Sequence, residues 1–365
     1  MAGLTFVSPS DLQRLDRHLA RCLTRVLDDA VAPGAGLGRM NDRLRRYVQR
    51  GGKRVRPQLC LWAFDRAGGT RDAAGDPPAA VLDVACAWEV FHAFLLVHDD
   101  LIDAADTRHA APSLHRQLQQ LDHDGEQFGR NLAIIAGDLL FGAALRLVAE
   151  SDAPPLVRCD LMQQFARIAC TTGFGQAIDI LQAEEPLAGV SEDGLLRGYH
   201  WKTAAYTFEG PLVSGATLAG ADPAARAGLA HFARTLGQAY QLQNDLADLS
   251  TPARDGCDLI QGKRTPTLLR ARSTLAADRQ GDFDRRVDAL RTANGHAVEL
   301  AEELRREVFD SGAVEQTGRL VRDLLADARA AAAVPAVGPG LTAGLAELVD
   351  GLEATYFRPP TPVAA

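Results

Sequence analysis

Apolar residues recur at helical spacing along most of the chain, and this pattern predicts an all-helical protein. Near the N-terminus, Ser8-Pro9-Ser10-Asp11 is typical of a capping box at the start of a helix. The apolar stripe that follows consists of Leu12, Leu15, Leu19, Leu23, Val26 and Leu27. Further stripes lie at 80–98, 132–148, 161–180, 197–218, 226–246, 267–275 and 308–332. Alternating runs typical of strands are hard to find, so we expect an all-α fold built as a bundle of long helices.

The breaks between the stripes are turns, and none is long enough to be a domain linker. Gly68-Gly69, Pro154-Pro155 and Gly338-Pro339-Gly340 each interrupt the pattern for only a few residues. We therefore predict one domain over residues 1–350. A flexible tail, rich in Pro and Ala, is predicted over residues 351–365.

Size and composition narrow the class of protein. The chain has 365 residues, 47% of them hydrophobic, so a sizeable core can form. Its net charge of −8 argues against a protein that coats nucleic acid, because neutralising phosphates needs a broad basic surface. An anionic ligand would therefore have to be met by a local cluster of cations or by metal ions.

Nothing in the sequence pattern indicates export or a membrane span. The N-terminus lacks a basic stretch followed by an apolar run, and we expect no apolar segment of membrane-spanning length and no stable membrane insertion. The six cysteines form neither a CxxC motif nor a Cys/His cluster along the sequence. We therefore expect reduced thiols in a cytoplasmic protein.

The first acidic cluster, His98-Asp-Asp-Leu-Ile-Asp103, follows a long apolar helical stretch. Asp99 and Asp103 are one turn apart on the same helical face, so their carboxylates repel each other unless a cation lies between them. Oxygen ligands at this spacing suit magnesium, with Asp100 as a further candidate ligand. The alternative interpretation is a solvated helix end.

A second acidic cluster ends another apolar helical stretch. Gln241, Asp248 and either Asn244 or Asp245 fall on one helical face. Two such clusters on different helices can hold metal ions around one diphosphate, which would position and stabilise a leaving group. Taken alone, this segment is weaker evidence than the first cluster and is more typical of a polar helix end.

Several cations occur where an anion would need them. Three lie within four residues behind two glycines in Gly51-Gly-Lys-Arg-Val-Arg-Pro57, which predicts a diphosphate-binding loop or, alternatively, a solvated basic turn. Arg108 and Lys263 lie near apolar helical segments. Lys202 lies within one, where an unpaired ammonium would be costly, so we expect an anionic partner or a stem that reaches water.

These motifs, in this order, resemble the trans-isoprenyl diphosphate synthases, the polyprenyl synthetase family. The resemblance runs from about Gly51 to Pro266. It is carried by Gly52-Lys-Arg-Val-Arg-Pro57, Glu89-Val-Phe-His92, Asp99-Asp-Leu-Ile-Asp103 with Arg108 and Pro112, Gly175-Gln-Ala-Ile-Asp179, Lys202-Thr203, Gln241 to Asp248, and Gly262-Lys-Arg-Thr-Pro266. An ordered set of motifs is far more specific than any single one.

The resemblance implies helices around a deep apolar cavity, with the two acidic motifs at its mouth, in a homodimer that condenses isopentenyl diphosphate with an allylic diphosphate. It implies three magnesium ions per active site. Their ligands would be Asp99, Asp100, Asp103, Asn244, Asp245, Asp248 and, more distantly, Asp179. Residues implied to bind isopentenyl diphosphate are Lys53, Arg56 and His92. Those implied to neutralise the allylic diphosphate or position reacting groups are Arg108, Lys202, Lys263, Thr203, Gln241 and Gln176.

Two positions depart from the family pattern. Asn244 stands where the second motif commonly begins with aspartate, which keeps an oxygen ligand but removes a negative charge. An asparagine there is also typical of class I terpene synthases, which ionise a prenyl diphosphate without elongation. His109 replaces an arginine that helps hold isopentenyl diphosphate. Three hypotheses for the function are therefore carried forward. The first is a prenyl diphosphate synthase, the second is a class I terpene synthase, and the third is a non-catalytic partner subunit of another synthase.

The residues before the first motif bear on product length. Phe94 and Leu95 precede Asp99 by about 6 to 8 Å along the helix axis and are expected to face the growing chain. With only Phe94 aromatic, we predict a twenty-carbon product, with fifteen carbons as the competitor. The alternative is that Phe94 is ordinary core packing.

Overall fold

The computed structural model describes residues 5–28, 35–50, 52–108, 111–121, 125–253, 257–290, 297–333 and 339–355. Helices dominate these residues, and the strands described are two short ones in an antiparallel pair, β1 (Thr107–Arg108) and β2 (Ala111–Pro112), with Thr107 opposite Pro112. The predicted all-α class is therefore confirmed.

The helix bounds are as follows. The N-terminal helices are α1 (Pro9–Asp28), α2 (Ala35–Gln49), α3 (Val55–Arg66), α4 (Ala79–Ile102), α5 (Leu114–Gln119), α6 (Glu126–Ala149) and α7 (Pro155–Glu184). A 3-10 turn (Leu187–Gly189) leads to α8 (Glu192–Tyr199), a π-helix (His200–Glu209), α9 (Gly210–Leu218) and α10 (Pro223–Leu249). The C-terminal helices are α11 (Pro266–Thr274), α12 (Ala277–Ala289), α13 (Ala297–Asp310), α14 (Ala313–Ala332) and α15 (Pro339–Thr355).

The chain divides into two compact units. The first unit comprises the described residues of Leu4–Arg167 together with Gly210–Arg226, and the second comprises Ile168–Glu209 and the described residues from Ala227 onward. Both α7 and α10 contribute residues to both units.

The first unit is built around α4, which is mostly apolar and packs against α1, α3, α6 and α9. Trp88 of α4 is fully buried, and its indole Nε1 donates to Ser214 Oγ of α9 at 3.1 Å. The backbones of α3 and α9 approach closely, because a Cβ added at Gly215 would lie 2.0 Å from the Cys60 carbonyl oxygen. This packing fixes α4, whose C-terminal end carries the first acidic cluster.

The second unit brings the π-helix against α8 and α10. A Cβ at Gly237 of α10 would lie 2.1 Å from the Cβ of Ala204, so only glycine allows the two helices to approach this closely. The C-terminal helices α11 to α15 complete this unit, with α11 packed on α14 and α14 on α15.

The predicted first helix is confirmed. Ser8 Oγ accepts a hydrogen bond from the Asp11 backbone N–H at 3.1 Å, as a cap requires, and the apolar stripe from Leu15 to Leu27 is buried. The stripe predicted at 308–332 is wrong as a single helix, because α13 and α14 are separated by a turn. Gly312 makes that turn in the left-handed region, with φ +76°.

Two further expectations need correction. By length and composition alone, α4 and α6 could cross a membrane, so the expectation that no apolar segment reaches that length was wrong; 78% of the most apolar window of α4 and 44% of that of α6 are buried in the protein. The tail boundary at residue 350 was also wrong, since α15 continues to Thr355 and Leu352 is buried. Residues 356–365 lie outside the described residues.

Candidate active site

The first acidic cluster ends α4 in the first unit. Asp99 is half-buried, Asp103 is exposed at the C-cap, and Asp100 is only 1% exposed. Arg108 of β1 bridges two of them, donating from Nη2 to Asp99 Oδ2 at 3.1 Å and from Nε to Asp100 Oδ1 at 2.6 Å. The C-terminal end of a helix carries a partial negative charge, which disfavours three carboxylates placed there. A cation bound at this helix end would therefore be stabilised.

The three aspartates are not equivalent. Burial raises the pKa of Asp100 to about 6, although the Arg108 guanidinium opposes this rise. Asp100 also accepts a hydrogen bond from the Tyr47 hydroxyl at 3.4 Å. The structure therefore gives Asp100 internal partners, and its role as a metal ligand stays a prediction, as do those of Asp99 and Asp103.

The basic loop before α3 separates its cations. Arg54 is only 7% exposed, has φ +48°, and donates to Glu89 Oε1 at 2.8 Å and to Asp16 Oδ1 at 2.9 Å. It therefore holds the loop in place. Lys53 and Arg56 are half-buried on either side, and burial lowers the pKa of Lys53. Gly51 lies outside the described residues.

An aromatic cluster lies along α4 below the acidic motif. The Phe94 ring lies 5.5 Å from that of Phe91 on the same helix, 4.8 Å from that of His98 and 5.3 Å from that of Phe141 on α6. Phe94, Leu95 and His92 are half-buried. Sequence reasoning missed Phe141, because nothing along the chain indicates that α6 packs beside α4.

In the second unit, the π-helix positions Lys202 and Thr203. A π-helix widens the turn and is frequent at functional sites. A Cβ at Gly175 would lie 2.2 Å from the Lys202 backbone N, so α7 approaches the π-helix closely. This approach places Asp179, one turn further along α7, where its Oδ2 accepts from Lys202 Nζ at 2.5 Å. The anionic partner expected for Lys202 is therefore present.

Hydrogen bonds run from the π-helix into the second acidic cluster. Thr203 Oγ1 donates to Gln241 Oε1 at 3.2 Å, and Gln241 Nε2 donates to Asp245 Oδ1 at 3.0 Å. The Tyr199 hydroxyl donates to the other oxygen of Asp245. The spacing of Gln241 and Asp245 on one helical face is thus confirmed as a physical contact.

The carboxyl group of Asp245 has a strongly raised pKa. It is 7% exposed, and burial, assisted by the nearby charge of Asp258, raises its pKa to about 8 against the hydrogen bonds from Tyr199 and Gln241. The pKa of Tyr199 is also raised, by burial and by the neighbouring Asp245 carboxylate. A buried carboxylate next to another needs either a proton or a cation.

The loop after α10 closes the cluster. The Asp258 backbone N–H donates to Asp248 Oδ2 at 2.9 Å, and Lys263 Nζ donates to Asp258 Oδ1 at 2.7 Å. The resulting cleft in the second unit is lined by Asp179, Gln182, Leu195, Gly198, Tyr199, Lys202, Thr203, Gln241, Asp245, Asp258, Lys263, Arg264 and Thr265. It combines carboxylates with ammonium and hydroxyl donors, the groups needed to hold a metal-bound anion.

Other predicted residues lie near these groups or beyond the description. Asn244 and Gln176 are half-buried, on α10 and α7. His109 lies outside the described residues. Sequence reasoning missed Tyr199 and Asp258, because a tyrosine at a helix junction and a loop aspartate belong to no periodic pattern. The one available signal for Asp258 was its position five residues before Lys263.

Comparisons with known proteins identify the family of this chain. The polyprenyl synthetase family model matches residues 39–302. A geranylfarnesyl diphosphate synthase from Natronomonas pharaonis is 26% identical over 288 residues, 73% of this chain and 81% of that protein. A chloroplastic geranylgeranyl pyrophosphate synthase from Catharanthus roseus is 31% identical over 264 residues, 68% of each protein.

A solved structure agrees as well. The crystal structure of geranylgeranyl pyrophosphate synthase from Corynebacterium glutamicum, complexed with isoprenyl diphosphate and magnesium, is 28% identical, covers 94% of this chain and 99% of that one, and has a TM-score of 0.78. Divalent metal is a requirement of the family. The family match covers well over half of the sequence, so the chain belongs to the polyprenyl synthetase family and is an enzyme that elongates prenyl chains by transferring prenyl groups.

Proposed function

We propose that this enzyme condenses isopentenyl diphosphate with an allylic diphosphate, head to tail and in the trans geometry, and that magnesium is its metal. The observation that carries the proposal is the cleft in the second unit, where Lys202 and Lys263 lie among Asp179, Asp245 and Asp258. Alternating positive and negative groups suit a diphosphate that arrives with its own metal ions.

The donor set fits magnesium. Asp99 and Asp103 offer carboxylate oxygens at the end of α4, and Asn244, Asp245 and Asp248 offer carboxylate and amide oxygens at the end of α10. Both sets lie at the negative end of a helix, where an added cation is favoured. Magnesium bound there supplies electrostatic stabilisation of a departing diphosphate, and we propose three ions per active site.

Positively charged side chains of the protein would neutralise the remaining charge of the two diphosphates. Lys202 and Lys263 are held by Asp179 and Asp258, at 2.5 and 2.7 Å, and are thereby oriented before a diphosphate binds. Lys53, Arg56 and His92 would hold the diphosphate of isopentenyl diphosphate. Arg108 would shift from its aspartate partners to the allylic diphosphate.

We propose a twenty-carbon product. The Phe94 ring lies 5.3 Å from the Phe141 ring of α6, and this aromatic pair would limit the length of a prenyl chain that extends along α4 below the acidic motif. The relatives above make products of different length, as their names state, so the aromatic pair in this chain is the more direct argument.

Phe94→Ala is expected to lengthen the main product by at least one five-carbon unit, because it removes the larger part of the aromatic barrier. Phe141→Ala is expected to lengthen it less. Product analysis by mass spectrometry checks both. Phe283→Leu, which changes a buried phenylalanine of α12, is the matched control. An unchanged product distribution in Phe94→Ala would show that another residue limits the chain.

We also propose a homodimer in the cytoplasm. On α6, Ile134, Ile135 and Leu139 are exposed together on one face, an apolar surface that a second copy could cover. All six cysteines are free, as expected for a reducing compartment. Sedimentation analysis of the wild type and of Ile135→Glu tests the dimer.

The decisive experiment supplies the purified chain with magnesium, isopentenyl diphosphate and each of the five-, ten- and fifteen-carbon allylic diphosphates in turn. We expect a longer prenyl diphosphate and no turnover after chelation.

Asn244 favours one second candidate, a terpene synthase, which would release a hydrocarbon or alcohol from an allylic diphosphate alone. Absence of turnover under all conditions would favour the partner-subunit hypothesis.

A further inference from the structure

The fold assembles a Cys/His cluster that the sequence does not show. His18 and Cys22 are one turn apart on α1, and Asp83 reaches them from α4. One ligand atom of each lies within 4.8 Å of the others. The cluster belongs to the first unit and involves none of the residues assigned above to substrate or magnesium. The folded chain thus brings together residues that no cluster along the sequence indicated.

The distances suit a small metal ion. His18 Nε2 lies 2.8 Å from Asp83 Oδ1, and Cys22 Sγ lies 3.4 Å from the same oxygen. In a tetrahedral zinc site, ligand atoms are separated by about 3.3 to 3.6 Å, given the usual zinc–ligand bond lengths. The Cys22–Asp83 separation already matches. The His18–Asp83 separation would open by about half an ångström as the metal replaces their hydrogen bond.

The donor types select a particular metal. A thiolate, an imidazole and a carboxylate are zinc ligands, whereas magnesium prefers oxygen ligands alone. The two acidic clusters and this one should therefore bind different ions. Three protein ligands leave a fourth position for water, and the partly exposed His18 gives the ion a path from the surface.

In the metal-free cluster, His18 Nε2 and Cys22 Sγ both contact Asp83 Oδ1, so a bound ion would replace these two contacts. Positive side chains flank the cluster. Arg25, which lies 3.4 Å from Asp83, and Arg21, which lies 3.3 Å from His18, are on the solvent side and more exposed.

We propose that His18, Cys22 and Asp83 form a zinc site that joins α1 to α4. Such an ion would fix the N-terminal helix against the central helix of the first unit. Its role would be structural, since α4 carries its acidic motif at the opposite end from Asp83.

Cobalt(II) titration of the full-length, metal-stripped enzyme tests this site by its colour. Cobalt bound to a thiolate gives an intense near-ultraviolet charge-transfer band, which oxygen ligands do not give. With excess magnesium present to occupy the acidic clusters, we expect one cobalt per chain with this band. Stoichiometric zinc should remove the band, whereas further magnesium should not.

Variants assign the band to the cluster. Cys22→Ser should abolish it, and His18→Gln should weaken cobalt binding at least tenfold. Cys159→Ser, which changes an exposed thiol, is the matched control and should leave the band unchanged. Circular dichroism checks that each variant folds. Zinc should also raise the Tm of the wild type but not that of Cys22→Ser.

The proposal is overturned if the wild type shows no charge-transfer band, if the band survives in Cys22→Ser, or if it disappears in Cys159→Ser.

Discussion

The two acidic clusters offer the same oxygen chemistry in opposite electrostatic settings. In the first unit, Asp103 is exposed and Asp99 is paired with the fixed positive charge of Arg108. In the second unit, Asp245 is buried, and its direct partners are neutral groups, the Tyr199 hydroxyl and the Gln241 amide. Burial raises the pKa of one carboxyl group in each cluster, to about 6 for Asp100 and to about 8 for Asp245, so burial opposes the charge of the second cluster more strongly.

This difference indicates how each cluster should respond to a metal. The pKa of Asp100 is raised only to about 6, so magnesium should bind at the first cluster near pH 7 with little change in the protonation of Asp100. A buried carboxylate with a raised pKa must lose a proton when the metal arrives, so its metal affinity rises with pH. Mutations that remove or add a charge in one cluster should show whether magnesium binding at that cluster depends on pH.

The largest effect is expected in the first cluster. Asp99→Asn and Asp103→Asn should each lower kcat roughly 10² to 10³-fold, because each removes a metal-binding charge that stabilises the leaving group. Steady-state kinetics at saturating magnesium checks this. Asp106→Asn is the control and should leave kcat unchanged. Asp106 is an exposed carboxylate in the loop after α4 and is paired with Arg116. Equal losses in all three variants would remove the special role of the motif.

Asp245→Asn should lower kcat about 100-fold and change the pH dependence of stability in the metal-free enzyme. The pKa of Asp245 is about 8 in the folded protein and 3.8 for an ordinary aspartate, so the carboxyl group stabilises the fold fully below about pH 4 and this contribution is lost as pH rises through 8. With chelator present, the Tm of the wild type should therefore fall relative to that of Asp245→Asn between pH 4 and 8.

Magnesium should narrow this Tm difference, since it compensates the buried charge. Thermal unfolding followed by circular dichroism, with chelator or with magnesium, measures the effect. Parallel Tm curves for the two proteins across this pH range would contradict the electrostatic contrast between the clusters.

A smaller effect is expected from Tyr199→Phe. It removes one hydrogen bond to Asp245, worth about 1 kcal/mol, so kcat/KM should fall roughly five- to tenfold. Tyr240→Phe, which keeps the ring contact with Phe208, is the matched control. If both tyrosine variants behave like the wild type, the neighbour of Asp245 that matters is Gln241 rather than Tyr199.

The smallest effect is expected from Asn244→Asp. Restoring a negative charge should lower the half-saturating magnesium concentration roughly fivefold, which corresponds to about 1 kcal/mol. Activity measured across a magnesium titration checks this. Gln243→Glu, at the neighbouring buried position, tests whether any added charge has this effect. A higher magnesium requirement in Asn244→Asp would show that Asn244 is not directed to the metal.

Local pattern was sufficient for much of the fold and for the core of each motif. The helical stripes, the cap at Ser8 and the one-turn spacing within each acidic cluster follow from the helical repeat, which depends on neighbours in the chain. Local pattern could not show which of these residues are buried against distant partners. It predicted the same metal-binding role for Asp100 as for Asp99 and Asp103, and it placed Arg54 in the same anion-binding loop as Lys53 and Arg56.

By itself, the sequence determined that the protein is helical, that its acids lie at helix ends and that its motifs follow the family order. Only the tertiary structure decided which of those groups are buried and what they touch. Phe141 beside Phe94, Tyr199 on Asp245, and His18 on Asp83 are contacts between residues far apart in sequence. The physical reason is that burial and distant partners set the charge of a titratable group, and neither can be read from nearest neighbours along the chain.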